Sequence, residues 1–287
     1  DAKRRRHRLA LVALLDHGAR IAGTNALPRA LDFNRIDMVE MLLEAGADPN
    51  EGVAEHPSGQ PMVIIPALHQ AARRMCSADI AALLIRHGAD GRADYDGHSA
   101  YAFARISGNH AVARVLEAAG QETVLSPTET ALARIADGEI TPLDPAQMSD
   151  RERKVAHWLM GFDGTLDHVM RLIESGFDPD WVDEQDMPVI HIAAWEGHAK
   201  AVAYLLQFDP DLEHLNMYGG DLVGTAIHGA EFCPARDRRD HMRATEHILD
   251  AGTKLRRRDI DGSGVAPLVE MLNDWADAHP DRVVEPG

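Results

Sequence analysis

Residues 183–212 read DEQDMPVIHIAAWEGHAKAVAYLLQFDPDL. The stretch divides into a turn, a short helix ending near Trp195, a tight bend at Glu196-Gly197-His198, a second apolar-faced helix and a closing loop. A single helix pair of this length cannot bury its own apolar side, so it requires neighbours of the same build.

Those neighbours are present. A helix end of the type Leu-Leu-x-x-Gly recurs at Leu14-Leu15-Asp16-His17-Gly18 and Leu42-Leu43-Glu44-Ala45-Gly46, and with one more residue at Leu83-Leu84-Ile85-Arg86-His87-Gly88. Variants follow at Leu116 to Gly120, Leu172 to Gly176 and Ile248 to Gly252. The glycines at 18, 46, 88, 120, 176 and 252 are separated by 28, 42, 32, 56 and 76 residues. The two widest gaps hold one degenerate unit near 126–148 and one unit in which Asp209 replaces the glycine. Glycine just past the last apolar residue supplies the left-handed conformation that ends a helix. A period of this size marks a repeat architecture.

The motifs resemble the ankyrin repeat. Pro188-Val189-Ile190-His191 stands where that family has Thr-Pro-Leu-His, and Ala193-Ala194, Gly197-His198, Val202 and Leu205-Leu206 follow in register. Ile65 to Ala72, Asp94 to Ala100 and Val265 to Val269 echo the same pattern, so the likeness runs from about residue 8 to about 279. The resemblance implies an all-α ankyrin-repeat solenoid of about seven to nine helix-turn-helix units, with degenerate units capping the ends. The expected organisation is a single continuous solenoid over 1–280, with the collapsed unit at 126–148 separating arrays 1–125 and 149–280, and a flexible tail at 281–287.

Three segments depart from the repeat. Residues 51–61, EGVAEHPSGQP, lengthen a turn with polar, Gly- and Pro-containing sequence. After a helix over 128–137, Pro142 and Pro145 fall where a second helix belongs, and Ser149-Asp150-Arg151-Glu152 then has the form of a capping box. Residues 231–240, EFCPARDRRD, lengthen the bend between two helices, and their mixed charges read as a solvated loop.

Composition narrows the function classes. The 287-residue chain has 29 Lys plus Arg against 46 Asp plus Glu, a net charge of −17 with histidine neutral. That field repels phosphate backbones, which argues against a nucleic-acid partner and favours a basic one. Cys76 and Cys233, 157 residues apart, make neither a disulfide framework nor a zinc knuckle. No apolar run approaches the roughly 20 residues of a membrane span. The chain opens on Asp1 rather than Met, which fits a trimmed product, and Lys3 to Arg8 read as the basic start of a helix. A cytoplasmic location is expected.

The sixteen histidines form no metal-ligand spacing. His241 and His247 are six apart and face different sides of a helix, and His228 and Cys233 lack further ligands, so no metal or cofactor is expected. By the resemblance, His69 and His191 are structural, bonding turn backbone between units. His98, at a turn tip, is read as solvent-facing. There is no phosphate loop, nucleophile elbow or His-Glu-x-x-His, so nothing argues for an enzyme.

In the ankyrin family the first helices and turn tips line a concave groove. Aligning the units places one groove position in each, giving the column Asp32, Arg73, Ile106, Phe162, Trp195 and His228. The turn tips of the last two of these units add Glu184, Gln185, Met187, Met217 and Tyr218, with Asp221 just inside. An indole, a phenol and an imidazole converging on one groove is the composition of a recognition hot spot. Gly224, where the family has histidine, leaves room beside the backbone. The leading reading is a non-catalytic module that binds a protein or peptide in this groove. The second is a small-molecule binder or enzyme, with His228 as acid or base, Asp221 as its orienting carboxylate, and a pocket walled by the 231–240 insert.

Overall fold

The computed structural model describes residues 2–55 and 61–285. It is built almost wholly of helices, and the chain divides into two compact units, Asp1–Thr141 and Pro142–Gly287. The boundary falls inside the segment expected to be a collapsed repeat.

In the first unit, helix Ala2–Asp16 precedes three helix pairs: Ala26–Asp32 with Ile36–Glu44, Ala67–Arg73 with Ala78–Arg86, and Ala100–Ile106 with His110–Ala118. Helix Pro127–Ala136 closes the unit alone. First helices stack on first helices and second on second, because each carries small or apolar residues on the faces it turns to its neighbours. Leu31, Leu68, Phe103 and Leu132, one from each successive first helix, are fully buried, and Ala71, Ala72 and Ala104 let the backbones approach. Short polar side chains set the helix starts: Ser77, Ser99 and Asn109 each accept an exposed amide of the first turn.

The 51–61 insert is no plain turn. Val53–Glu55 pairs antiparallel with Pro61–Val63, so the described part of the insert is a pair of short strands; residues 56–60 lie outside the described residues. His98 is buried rather than solvent-facing. Its Nδ1 is 2.7 Å from Glu129 Oε1, and Glu129 also completes the capping box of the last helix through Ser126. Ile106 is fully buried as well and faces no groove.

In the second unit the missing helix after Pro142 is replaced by a short 3-10 turn, Pro145–Gln147. Two prolines without amide hydrogens cannot sustain an α-helical ladder there. The segment docks instead on the end of helix Leu166–Glu174, where the Leu143 amide donates to the Ser175 carbonyl at 2.7 Å. Asp150–Arg153 then begins with both bonds of a capping box between Ser149 and Glu152, as the sequence predicts. Three helix pairs follow: Val155–Leu159 with Leu166–Glu174, Val189–Trp195 with Ala199–Leu205, and Leu222–Phe232 with His241–Asp250. Asp209 takes φ 54°, so it does supply the left-handed helix end that glycine supplies elsewhere.

The C-terminal residues do not fray. Helix Ala266–Ala278 leads into the turn Pro280–Arg282, and Val283–Val284 pairs parallel with Leu255–Arg256. Arg282 donates to the Leu249 and Thr253 carbonyls and lies over the Trp275 ring at 4.8 Å. Only residues 286–287 of the expected tail lie outside the described residues. No described helix is long and apolar enough to cross a membrane.

Candidate functional site

The site is built on two successive repeats of the second unit. Helix Val189–Trp195 is short, with Ala193 and Ala194 fully buried, so its last residue, Trp195, emerges half-buried at the edge of the stack. The next first helix, Leu222–Phe232, comes close at Gly229, where an added Cβ would lie 2.2 Å from the Trp195 carbonyl oxygen. Only glycine permits that approach, and it brings His228, one residue earlier, beside the indole. The Trp195 and His228 rings are 5.3 Å apart between centroids, and the imidazole also lies 4.6 Å from the Phe232 ring. Trp195 and His228 are therefore neighbours on successive repeats.

Two turns form the opposite wall. In the first, Asp183 Oδ1 accepts the Gln185 and Met187 amides at 2.8 and 3.1 Å, and Asp186 takes φ 53°. In the second, Asn216 Oδ1 accepts the Tyr218 and Gly220 amides at 3.0 and 3.1 Å, while its Nδ2 donates to Thr225 Oγ1 at 3.1 Å. The Met217 amide donates to the Gln185 carbonyl at 2.9 Å and ties the two turns together. Between these turns and the helix ends lies a pocket of about 670 Å³. It is lined by Met187, Trp195, Tyr218 and His228, with Gln185, Glu196, Asn216 and Thr225 as its polar members and Ile192, Gly220 and Gly224 completing it.

The residues expected at the site thus separate into two groups. Trp195, His228, Tyr218, Met187 and Gln185 converge on the pocket. Met217 is exposed and contributes through its backbone amide. Glu184 turns away to an ion pair with Lys154. Asp221 is buried and fully engaged: one oxygen caps helix Leu222–Phe232 through the Gly224 amide at 2.9 Å, and the other meets Arg256 at 2.9 Å. It is absent from the pocket lining and does not orient His228. Arg73 belongs to the first unit, where it donates to Gln70 Oε1 at 3.0 Å.

Phe162 is out of register, and the reason is a histidine that the sequence reading missed. His157 Nε2 donates to the Met187 carbonyl at 2.9 Å, just as His69 Nε2 donates to the His98 carbonyl at 3.1 Å. His157 is therefore the turn-bonding histidine of its repeat. Four residues on from it, the offset that separates Trp195 from His191, is Gly161 and not Phe162. A count of 34 residues back from His191 was the signal available; no Thr-Pro-Leu precedes His157 to draw attention to it.

His191 itself breaks the pattern. Its Nδ1 is 3.4 Å from Thr225 Oγ1, and its buried Nε2 has no hydrogen-bond partner among the described residues. The carbonyl in the corresponding place, that of Gly220, accepts the Asn216 amide, as those of His98 and Met187 accept the Tyr95 and Asp183 amides, but not the imidazole. Burial, reinforced by neighbouring His214, pushes the His191 pKa down to about 4, so the ring is neutral under ordinary conditions.

Arg236, Asp237, Arg238 and Asp240 of the 231–240 insert are exposed as expected, but Arg239 turns inward, and none of the insert's residues lines the pocket. Arg239 is buried, with 4 % of its side chain exposed, and lies 2.8 Å from Asp163 Oδ1, 2.8 Å from His198 Nδ1 and 3.9 Å from Glu196 Oε2. Arg238 meets Asp163 at 3.1 Å, and the Asp240 amide donates to the Gly197 carbonyl at 3.2 Å. His241 packs its ring over Gly197. The insert clamps the bends of the two preceding repeats, and through Glu196 it touches the pocket rim.

Comparison with known proteins agrees with this build. Residues 156–216 match the family model described as ankyrin repeats (many copies). The chain is 29% identical over 133 residues to the ankyrin repeat protein nuc-2 of Neurospora crassa, which covers 45% of this chain and 10% of that protein. It is 28% identical over 99 residues to the palmitoyltransferase Hip14 of Drosophila melanogaster, covering 34% of this chain and 14% of that one. The chain thus spans about a tenth to a seventh of these relatives' length. Among solved structures, the human ASB11 ankyrin repeat domain aligns with TM-score 0.40 at 16% identity, over 87% of this chain and 96% of that one. The ankyrin repeat domain of Bcl-3 aligns with TM-score 0.38 at 16% identity, over 88% and 99%. Residues 156–216 are thus ankyrin repeats, and the same helix pair and turn-bonding histidine recur outside them at His69.

Proposed function

We propose that this chain is a non-catalytic binding module whose recognition site is the pocket of Trp195, Tyr218 and His228, and that a segment of a partner protein occupies it. Ankyrin repeats in general serve as protein-interaction modules, which supports a binding role. The observation that carries the reading is the exposure of three aromatic side chains the scaffold does not require. Tyr218, 73 % exposed, and the half-buried Trp195 line the pocket, and Phe232, 53 % exposed, lies against His228 at its edge. Large aromatic groups gathered around a concavity are the usual anchors of binding energy. The net charge of −17 favours a basic partner over an acidic one.

The test is capture of partners from an extract of the source cells by the wild-type chain, by Trp195→Ala, and by Arg243→Ala as a surface control, with quantitative mass spectrometry. Partners retained by Arg243→Ala and lost on Trp195→Ala support the reading. Equal recovery on all three overturns the placement of the site.

A small organic ligand is the second reading, and one observation favours it: a volume of about 670 Å³ lies within the range of small-molecule sites. Mass spectrometry of the purified chain under native and denaturing conditions distinguishes the two. A catalytic role for His228 draws no such support, since its ring packs between Trp195 and Phe232 with no carboxylate bonded to it among the described residues.

A further inference from the structure

The charge around the pocket is one-sided. Residues 183–196 and 216–232, the two segments that build it, contain Asp183, Glu184, Asp186, Glu196, Asp221 and Glu231 and not one lysine or arginine. Glu184, Asp221 and Glu196 are paired with Lys154, Arg256 and Arg239, so Asp183, Asp186 and Glu231 carry the excess negative charge. Glu196 is the one lining residue with an ionisable carboxylate, and no lining residue is a lysine or arginine. The apolar part of the lining is aromatic ring and thioether, from Trp195, Tyr218, His228 and Met187.

These two properties together select among side chains. A carboxylate entering this field is repelled. An aliphatic chain gains from the rings but nothing from the charge. A cation gains from both, because the face of an aromatic ring attracts positive charge. Lysine carries a compact, strongly hydrated ammonium, whereas arginine offers a flat, weakly hydrated guanidinium that stacks on an indole while its edge donates to acceptors. Such acceptors are present in the Gln185 amide and in the Glu196 carboxylate, which has room for a further donor beside Cys233 Sγ at 3.5 Å and Arg239 at 3.9 Å; Asn216 Oδ1 is already taken by two backbone amides.

We infer that the pocket receives a basic side chain of the partner, arginine in preference to lysine, stacked against Trp195 with its donors turned toward Glu196 and Gln185. The inference rests on the pocket being the recognition site for a partner segment, and it names what that segment must carry.

The experiment is selection of a randomised dodecapeptide library on the full chain at low salt, followed by titration of the best peptide and its variants. The expected result is enrichment for arginine at one fixed position. Replacing that arginine by citrulline, its neutral near-isostere, should weaken binding by about tenfold or more. Raising the salt from 50 to 500 mM should weaken it several-fold, as screening requires. Trp195→Ala should abolish the selection. Enriched peptides that carry aliphatic or aromatic residues without a basic one, or a citrulline peptide that binds as tightly, overturn the inference; they leave the recognition site standing if Trp195→Ala still abolishes binding. Peptides that bind Trp195→Ala and wild type alike overturn the site itself. A library that yields no binders counts against both.

Discussion

Arg239 and Asp163 meet at 2.8 Å although two repeats separate them, and the guanidinium between them is almost wholly withdrawn from solvent. The insert that looked like surplus is the piece that joins three successive bends. Arg239→Ala removes the common partner of Asp163, Glu196 and His198. Because Asp163 is largely exposed and rehydrates, the expected loss is modest for a buried arginine, about 1–3 kcal/mol. Urea denaturation of the variant against wild type measures it, and Arg236→Ala, on the exposed side of the same insert, should cost less than about 0.5 kcal/mol.

Acid should undo the same clamp. Burial, then the neighbouring Arg239, pushes the His198 pKa down to about 4, and burial followed by Arg239 lowers that of His241. Asp163, Asp240 and the Met160 carbonyl oppose these shifts without cancelling them. A histidine whose folded pKa lies below its unfolded value of about 6.5 must stay neutral to fold. Its contribution is whole above pH 6.5 and declines as the pH falls toward 4. His69 and His191, each also held near 4 chiefly by burial, add to the same slope. Stability measured between pH 7 and pH 4.5 should therefore fall steadily, and His198→Asn should reduce the slope. A flat profile across that window would refute the assignment.

Gly229 sets the distance between Trp195 and His228. Gly229→Ala places a methyl group 2.2 Å from the Trp195 carbonyl oxygen, a clash relieved only by parting the two helices. Overpacking at a site this tight should cost about 1–3 kcal/mol. Trp195 should also become more exposed, visible as a red shift in fluorescence against a background variant in which the other tryptophans are replaced by phenylalanine.

Arg282 closes the C-terminal end of the second unit. It supplies donors to the carbonyls of Leu249, in the last turn of helix His241–Asp250, and of Thr253, just beyond that helix. Arg282→Ala should lower stability by about 1–2 kcal/mol and speed amide hydrogen exchange over residues 248–256. Exchange unchanged there would show that the end holds without it.

What was legible in the sequence was whatever repeats locally. The Leu-Leu-x-x-Gly ends, the substitution of Asp209 for glycine and the capping box at Ser149 are short-range patterns with one backbone solution each. Trp195 and His228 were legible for a related reason, since a fixed period converts sequence spacing into spatial adjacency. The remainder depends on contacts between distant residues. Nothing in EFCPARDRRD announces that Arg239 will be buried against Asp163, and nothing near Val283 announces a strand partner at Leu255. His98 looked exposed because its partner, Glu129, belongs to the following repeat. Phe162 failed because one register error at His157 moves every later position of that unit.

Of the histidines in that turn-bonding position, His69 and His157 each fasten the next turn by its carbonyl, and His191 does not. The loop at residues 216–220 is knotted on itself by Asn216, as 183–187 is by Asp183, and is moored by the Met217 amide without a histidine. A self-contained knot is an interchangeable part. Residues 217–219 are held through Asn216 and through main-chain atoms, so their side chains should be exchangeable while the turn and the stack beneath it persist.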